Sequence, residues 1–190
     1  MNTRKKLINM VLLALFAGLI FLMGQTPLGL IPLGFCNVTL LVIPVAVGTI
    51  YMGWKNGLIL GATFAATSLL SALTRPSALV ATLMGASPLL AIIMTVLPRL
   101  CIPLVIWGVY ALLARMKKPA AAAAAAACGS LTNTILYLGL MLCFYMLCGI
   151  DNTSVLTTIG LVAGGAGPLE AIAAAIIVPP VLTALWKIHK

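Results

Sequence analysis

One apolar stretch decides the fold: residues 88–114 read PLLAIIMTVLPRLCIPLVIWGVYALLA. Its only charged residue is Arg99, and its internal prolines are Pro98 and Pro103. A helix of about 20 apolar residues crosses a hydrocarbon core of about 30 Å. Prolines kink such a helix without excluding it, because neighbouring groups satisfy the freed backbone atoms. The stretch is therefore predicted to form a kinked transmembrane helix.

The composition of the whole chain agrees with this prediction. Of the 190 residues, 63% are apolar and 7% are charged, whereas soluble domains carry about 25% charged residues. Because so few charges cannot cover a water-facing surface, most of the outside is expected to face lipid. The net charge of +9 comes from bases clustered at the ends of apolar segments. This pattern is typical of membrane topology rather than of nucleic-acid binding.

The pattern of apolar segments predicts an all-α, polytopic membrane protein, a six-transmembrane-helix bundle in a single domain over residues 1–190. The helices are expected at about 7–24, 38–51, 58–73, 88–114, 119–147 and 168–186. Prolines and glycines between residues 25 and 34 predict a non-helical connection before the second helix. A loop with a short helix is expected at 78–87, and a glycine-rich connection over 149–167 is expected to contain a short helix at 155–162.

Basic residues determine the expected orientation. With the N-terminus inside, Arg75 falls on the outer side and Arg99 lies within a helix. All other bases then fall on the cytoplasmic side: Arg4, Lys5, Lys6, Lys55, Arg115, Lys117, Lys118, Lys187 and Lys190. Cytoplasmic loops of membrane proteins are enriched in lysine and arginine. Both termini are therefore predicted to be cytoplasmic.

Sequence motifs for catalysis and for metal binding are missing. The sequence has no G-x-x-x-x-G-K-[ST] phosphate loop, no H-E-x-x-H and no G-x-S-x-G, and its single histidine is His189. The five cysteines form no C-x-x-C pair, and free cysteine behaves as a small hydrophobic residue. We therefore expect no enzymatic activity, no bound metal and no cofactor.

Two charged side chains are expected at membrane depth. A lone arginine near the bilayer centre costs about 2.5–3.5 kcal/mol on insertion scales, so Arg99 is expected to face a cavity or a partner. Its planar guanidinium suits a carboxylate or phosphate. Binding of an anion, an ion pair with Glu170 and snorkelling to the interface remain open. Glu170 follows Pro168 closely, so it either favours the helix dipole or contacts the ligand.

Other polar and small residues extend the candidate site. Asn133, with Thr132 beside it, lies in the middle of the fifth helix, where an amide in lipid seeks a partner. Asn37 either caps the second helix or contacts a ligand. On the first helix, Ala14 and Gly18 are four residues apart. Small residues at this spacing let a second helix approach closely, either within the bundle or from a partner.

Several short motifs, in their order and spacing, resemble the substrate-binding S-components of energy-coupling factor (ECF) vitamin transporters, most of all the pantothenate group. They cover nearly the whole chain: Ala14-Leu-Phe-Ala17, Pro32-Leu-Gly34, Ile43-Pro44, Pro98-Arg99, Gly129-Ser-Leu-Thr-Asn-Thr134, Pro168-Leu-Glu-Ala171 and Val178-Pro-Pro180.

The resemblance implies a multi-pass protein of a bacterial plasma membrane that captures a vitamin, with pantothenate as the leading candidate, for ATP-driven uptake. The substrate site would lie in the outer half of the bundle and comprise Arg99, Asn133, Glu170, Asn37 and Thr132. Ala14 and Gly18, where the family usually has two alanines, would dock on a transmembrane coupling subunit driven by two ATPase subunits. A stand-alone small carrier and a structural membrane subunit without ligand remain as alternatives.

Overall fold

The computed structural model describes residues 3–26, 30–32 and 37–188. Its elements in chain order are α1 (Thr3–Gln25), β1 (Leu30–Pro32), β2 (Asn37–Thr39), α2 (Val42–Met52), α3 (Trp54–Thr74), α4 (Ala78–Ala86), α5 (Pro88–Leu112), α6 (Lys118–Leu147), α7 (Thr153–Leu161) and α8 (Gly167–Ile188). A π-helical turn at Val162–Ala166 joins α7 to α8. The helical character of the chain is confirmed, with one small antiparallel hairpin added by β1 and β2.

Within the described part of the chain, five helical segments are long and apolar enough to cross a membrane: Leu7–Gln25, Trp54–Thr74, Pro88–Leu112, Lys118–Leu147 and Thr153–Lys187. The remaining predicted span, the second helix at about 38–51, corresponds to α2. This helix has 11 residues and reaches about 16 Å at 1.5 Å per residue. It begins at Val42 rather than near residue 38, because Asn37–Thr39 is extended and pairs with Leu30–Pro32. Alone, α2 is shorter than a hydrocarbon core of about 30 Å.

Sharp changes of chain direction occur where the residue type permits them. Gly53 has a φ of 89° between α2 and α3, and Gly149 has a φ of 64° after α6. At the end of α6, the Ile150 N–H donates to the Tyr145 carbonyl at 3.0 Å, as in a Schellman cap. Ser87 is extended between α4 and α5, because the proline after it disfavours the helical conformation.

Small side chains of α6 form the centre of the bundle. The buried alanines recur with the helical period and therefore share one face: Ala121, Ala122, Ala125 and Ala126. Next to them in the same apolar cluster are side chains of α5 and α8: Ile102, Ile106, Ala174, Val178 and Leu182. Because small residues let helices approach closely, α6 packs against both α5 and α8.

The glycine-rich segment before α8 is helical, although it was predicted to be a connection containing a short helix. Gly164 and Gly165 lie inside the π-helical turn, so α7 and α8 form one continuous span over Thr153–Lys187. A π-helical turn is rare and often marks a functional site. Here it places Glu170 well inside a long helix rather than at a free helix start.

The end of the bundle that carries β1, β2, α4 and α7 is called the hairpin end below. A second apolar cluster covers it, formed by side chains of α4 to α7: Leu79, Val80, Leu83, Ala91, Met94, Met141, Tyr145 and Val155. The Tyr145 hydroxyl donates a hydrogen bond of 2.6 Å to the Leu79 carbonyl. This bond joins α6 to α4 and fixes the short helix over the bundle.

Candidate ligand-binding site

A cavity lies toward the hairpin end between α3, α5, α6 and α8, and it holds about 820 Å³ of empty space with its open mouth included. Eleven of the sixteen residues that line it carry polar side chains: Thr39, Ser68, Ser71, Arg75, Ser77, Thr95, Arg99, Asn133, Thr134, Tyr137 and Glu170. Apolar side chains complete it: Ala72, Val80, Leu138, Val162 and Ala166. Ionisable side chains within membrane-spanning helices are costly and usually functional. The cavity is therefore the candidate ligand site.

Helical spacing brings these side chains together. Residues three or four apart on a helix share one face, and each wall of the cavity repeats this spacing. The α3 wall has Ser68, Ser71 and Arg75, while the α5 wall has Thr95 one turn before Arg99. The α6 wall is formed by Asn133, Thr134, Tyr137 and Leu138, and the last wall by Val162, Ala166 and Glu170. Four helices thus converge on one concave surface.

Arg99 is the central charged group of the cavity. It is 8% exposed, and its Nε and Nη1 atoms are buried without a hydrogen-bond partner in the described part of the chain. The guanidinium carbon lies 4.6 Å from the ring centroid of Tyr137 and 5.5 Å from that of Phe64. A buried charged donor left without an acceptor costs about 1–3 kcal/mol or more. This arrangement can accept an anion without breaking any hydrogen bond of those two atoms.

The backbone around Arg99 is fixed by Pro103 and Gly61. Pro103 has no N–H, so the Arg99 carbonyl loses the hydrogen bond it would accept from the residue one turn on. A Cβ atom at Gly61 would lie 2.8 Å from that carbonyl oxygen and 3.0 Å from the Pro103 Cγ atom. Only glycine therefore lets α3 come this close to α5. The α5 backbone at Arg99 is therefore held directly against α3.

Glu170 faces the same cavity, but its carboxylate accepts hydrogen bonds from groups other than Arg99. It is 7% exposed; its Oε1 atom accepts a hydrogen bond from the Thr39 N–H, and its Oε2 atom accepts one of 3.4 Å from the Thr134 hydroxyl. The carboxylate thus ties β2 to α8 and α6. An ion pair with Glu170 was one of the alternatives left open for Arg99. The Arg99 Nε and Nη1 atoms do not form it, since neither has a hydrogen-bond partner among the described residues.

The remaining predicted ligand residues fall in three different places. Asn133 lines the cavity, and its Oδ1 atom is buried without a partner in the described structure. Thr132 is not part of the lining, and its hydroxyl donates to the Cys128 carbonyl at 2.7 Å. The backbone of Asn37 belongs to β2, whereas its side chain lies outside what the structure describes.

Several lining residues were not predicted from the sequence. Ser68 and Tyr137 were missed altogether, as were Ser71, Ser77 and Thr95. The signal that could have found the α3 group is its helical spacing with Arg75. Thr95 is similarly one turn away from Arg99. A single serine or threonine in a membrane helix usually bonds to its own backbone, so the residue type alone carries little information.

Arg75 stands at the mouth of the cavity. It is exposed, and its Nη2 atom donates to the Gln25 carbonyl at 3.1 Å and contacts the Gln25 Oε1 atom at 3.5 Å. These contacts join the end of α1 to the end of α3. The two cavity arginines thus differ, since Arg75 already has hydrogen-bond acceptors.

The predicted docking residues lie on an open face of α1. Ala14 and Gly18 are both exposed, and a Cβ atom at Gly18 would meet no atom within 4 Å. Few residues of the span Leu7–Gln25 are buried. Large apolar side chains beside the two small residues are also exposed: Leu7, Met10, Val11, Leu15 and Leu22. The small residues therefore do not serve packing inside the bundle.

Comparison with known protein families agrees with the membrane-spanning architecture. The family model described as ECF transporter, substrate-specific component, matches residues 8–182. The match includes three of the five long apolar spans in full, most of the other two, and every cavity residue named above. It is a family of transporter components rather than of enzymes. No curated protein is similar enough to the chain to count as a match.

Proposed function

The chain belongs to the ECF transporter substrate-specific component family, and we propose that it captures a small carboxylate vitamin, with pantothenate first among the candidates. In this proposal the ligand enters the cavity at the hairpin end from outside the cell. The family implies a small-molecule substrate and contact with the subunits of an ECF module. Uptake would then be driven by ATP hydrolysis in the partner subunits.

The observation that carries the ligand class is the buried Arg99 guanidinium. Its Nε and Nη1 atoms face no acceptor within the described structure, and a guanidinium binds carboxylates through charge-assisted hydrogen bonds. An acidic ligand would satisfy these donors and offset a charge that is costly at membrane depth. A neutral ligand would leave the charge uncompensated.

Pantothenate matches the rest of the cavity because it carries a carboxylate, an amide and two hydroxyl groups. The unpartnered Oδ1 atom of Asn133 can accept a hydrogen bond from a hydroxyl or an amide N–H. The Ser68 hydroxyl is also buried without a partner in the described structure, so it can donate or accept. We keep Glu170 and Asn37 as proposed contacts near β2. Thr132 is left out, because its hydroxyl bonds within its own helix.

The open face of α1 supports the proposed docking on a coupling subunit. A flat apolar face with small residues at its centre suits close packing of a second helix. Ala14 and Gly18 provide that centre and are exposed in the chain alone. In the proposed complex, this face contacts the transmembrane coupling subunit, which is bound in turn to two ATPase subunits.

We propose six passes with both termini in the cytoplasm of a bacterium. The hairpin and α2 together would complete the sixth pass, since α2 alone is short. Bases concentrate at the end opposite the hairpin, where cytoplasmic loops are expected: Lys55, Arg115, Lys117, Lys118 and Lys187. A cysteine-accessibility experiment on intact cells tests this orientation. A cysteine replacing Lys117 should react only after the cells are opened, whereas one replacing Ser77 should react from outside.

Calorimetry on the purified chain in detergent tests the ligand class. Pantothenate should bind more tightly than uncharged vitamins and more tightly than its own carboxamide, which keeps the shape and removes the charge. Stronger binding of an uncharged vitamin would contradict the carboxylate assignment.

Reconstitution tests the transport role. Uptake of the bound vitamin into proteoliposomes should require the coupling subunit, the ATPase subunits and ATP. Uptake by the chain alone, without ATP, would contradict the proposed function and favour a stand-alone carrier.

A further inference from the structure

We propose that Phe64 and Tyr137 form an aromatic clamp that positions Arg99 and makes the cavity specific for anions. This inference rests on the proposed function, because it explains how Arg99 would recognise a carboxylate. Phe64 comes from α3 and Tyr137 from α6, on two helices that pack on α5. Their ring centroids lie 5.5 Å and 4.6 Å from the guanidinium carbon.

The two rings offset the positive charge without occupying the hydrogen-bond donors. A guanidinium within about 6 Å of a ring centroid is attracted by the ring quadrupole, and the attraction is strongest where water is excluded. A carboxylate neighbour would offset the charge as well, but its oxygens would take the N–H groups that a ligand needs. The Nε and Nη1 atoms of Arg99 are without partners in the described structure. The rings therefore keep the arginine both stable and available.

Nearby Glu170 is kept from competing by its own hydrogen bonds. Its two carboxylate oxygens accept from the Thr39 N–H and the Thr134 hydroxyl. If the rings did not hold the guanidinium, Arg99 could turn toward this carboxylate and form a buried ion pair. Such a pair would remove the binding site for an anionic ligand. The clamp thus favours the open arrangement over the closed ion pair.

The two rings hold Arg99 from different places, one in the apolar core and one in the wall of the cavity. Phe64 is completely buried in the apolar core, so its ring is fixed by packing and backs the guanidinium from α3. Tyr137 lines the cavity, so its ring lies beside the space where the ligand would sit. A preorganised arginine loses little conformational freedom on binding, which increases affinity. The clamp is expected to act on the charged group of the ligand and on little else.

The decisive measurement is the ratio of dissociation constants for the carboxamide of pantothenate and for pantothenate itself. Replacing either ring by an aliphatic side chain, in Phe64→Leu or Tyr137→Leu, should lower this ratio about tenfold, as expected for loss of one desolvated cation–π contact. The conservative variant Tyr137→Phe keeps the ring and should keep the ratio within about threefold. An unchanged carboxamide affinity in the Leu variants shows that the cavity is still folded. An unchanged ratio in both Leu variants would overturn the clamp.

A second measurement needs no ligand and separates this inference from the proposed function. In the ligand-free protein, the Nε–H proton of Arg99 should show a ring-current shift in its NMR spectrum, assigned by its loss in Arg99→Lys. The shift should persist in Tyr137→Phe and shrink in Tyr137→Leu. Absence of a shift in the unaltered protein would overturn the clamp whatever the ligand. A clear shift in a protein that shows no preference for carboxylates would instead reject the proposed function, and with it the role of the clamp in specificity.

Discussion

The cavity and the outward face of α1 are the two surfaces that we propose for recognition, and their chemistry differs. The cavity is concave and contains buried donors and acceptors that lack partners in the described structure. The α1 face is apolar and open, with small residues at Ala14 and Gly18 between larger exposed side chains. The first suits a small polar molecule, and the second suits a helix in lipid. Binding and uptake should therefore be separable by mutation.

The largest expected effect is loss of uptake after Ala14→Trp or Gly18→Trp. A bulky ring on the open face should prevent a partner helix from approaching, because close packing there depends on small side chains. Vitamin uptake by the assembled transporter should fall to background, while vitamin binding to the purified chain should stay within about twofold, since neither residue lines the cavity.

Gly139→Trp is the matched control for these variants. Gly139 lies on α6, and a Cβ atom there would also meet nothing within 4 Å. Uptake should persist in Gly139→Trp, because this glycine is on a different surface. Normal uptake in both α1 variants would show that the open face of α1 is not needed for transport.

A smaller effect on stability and ligand binding is expected from Gly61→Ala, which changes the packing of α3 against α5 at Arg99. The new Cβ atom would lie 2.8 Å from the Arg99 carbonyl oxygen, so α3 and α5 must separate or shift. Overpacking of this kind costs about 1–3 kcal/mol. The melting temperature in detergent should fall, and ligand affinity should fall with it because Arg99 moves.

Gly108→Ala provides the comparison for Gly61→Ala. Gly108 lies on α5 itself, but a Cβ atom there would meet nothing within 4 Å. Stability and binding should remain near those of the unaltered protein, and α5 should gain slightly from the better helix propensity of alanine. Equal behaviour of the two alanine variants would show that close approach of α3 does not position Arg99.

Glu170→Ala is expected to weaken the hairpin and ligand binding more than Glu170→Gln does. The alanine variant leaves the buried Thr39 N–H without its acceptor, which costs about 1–3 kcal/mol. The hairpin should loosen, with weaker binding and faster proteolysis near β2. The glutamine variant keeps a carbonyl oxygen that can accept this bond, so its loss should be smaller. Larger damage from glutamine than from alanine would show that the negative charge, not the hairpin contact, is what matters.

The smallest effect is expected from Arg75→Gln at the mouth of the cavity. Arg75 is exposed, and its bond to the Gln25 carbonyl resembles surface contacts worth about 0.2–1 kcal/mol. The rate of ligand dissociation, measured by a chase with unlabelled vitamin, should rise at most about fivefold. A hundredfold change would instead place Arg75 in direct contact with the ligand.

The long apolar helices could be predicted from the sequence because their signal is local. Residues 88–114, for example, contain enough apolar side chains to require a membrane, and the structure has a helix at Pro88–Leu112. The buried position of Arg99 also followed from local reasoning, since a charge in such a helix must avoid lipid.

The hairpin and the π-helical turn could not be predicted in the same way. Asn37–Thr39 becomes a strand only because it pairs with Leu30–Pro32, and pairing of two short segments is a tertiary contact. Gly164 and Gly165 suggested a loop, yet both lie in a π-helical turn. The hydrogen bond from Thr39 to Glu170 joins residues 131 apart in sequence, so the anchor role of Glu170 also depended on the fold.

Calorimetry of pantothenate binding to purified Arg99→Ala and Arg99→Lys asks whether the Arg99 guanidinium holds the ligand. The control is Arg115→Ala, which removes an exposed arginine at the end opposite the hairpin. We expect a loss of affinity of about 100-fold or more in Arg99→Ala, as for removal of one partner of a buried charge pair. We expect a partial loss in Arg99→Lys and no change in Arg115→Ala. An affinity in Arg99→Ala within about threefold of the unaltered protein, which is less than 1 kcal/mol, would show that Arg99 does not bind the ligand.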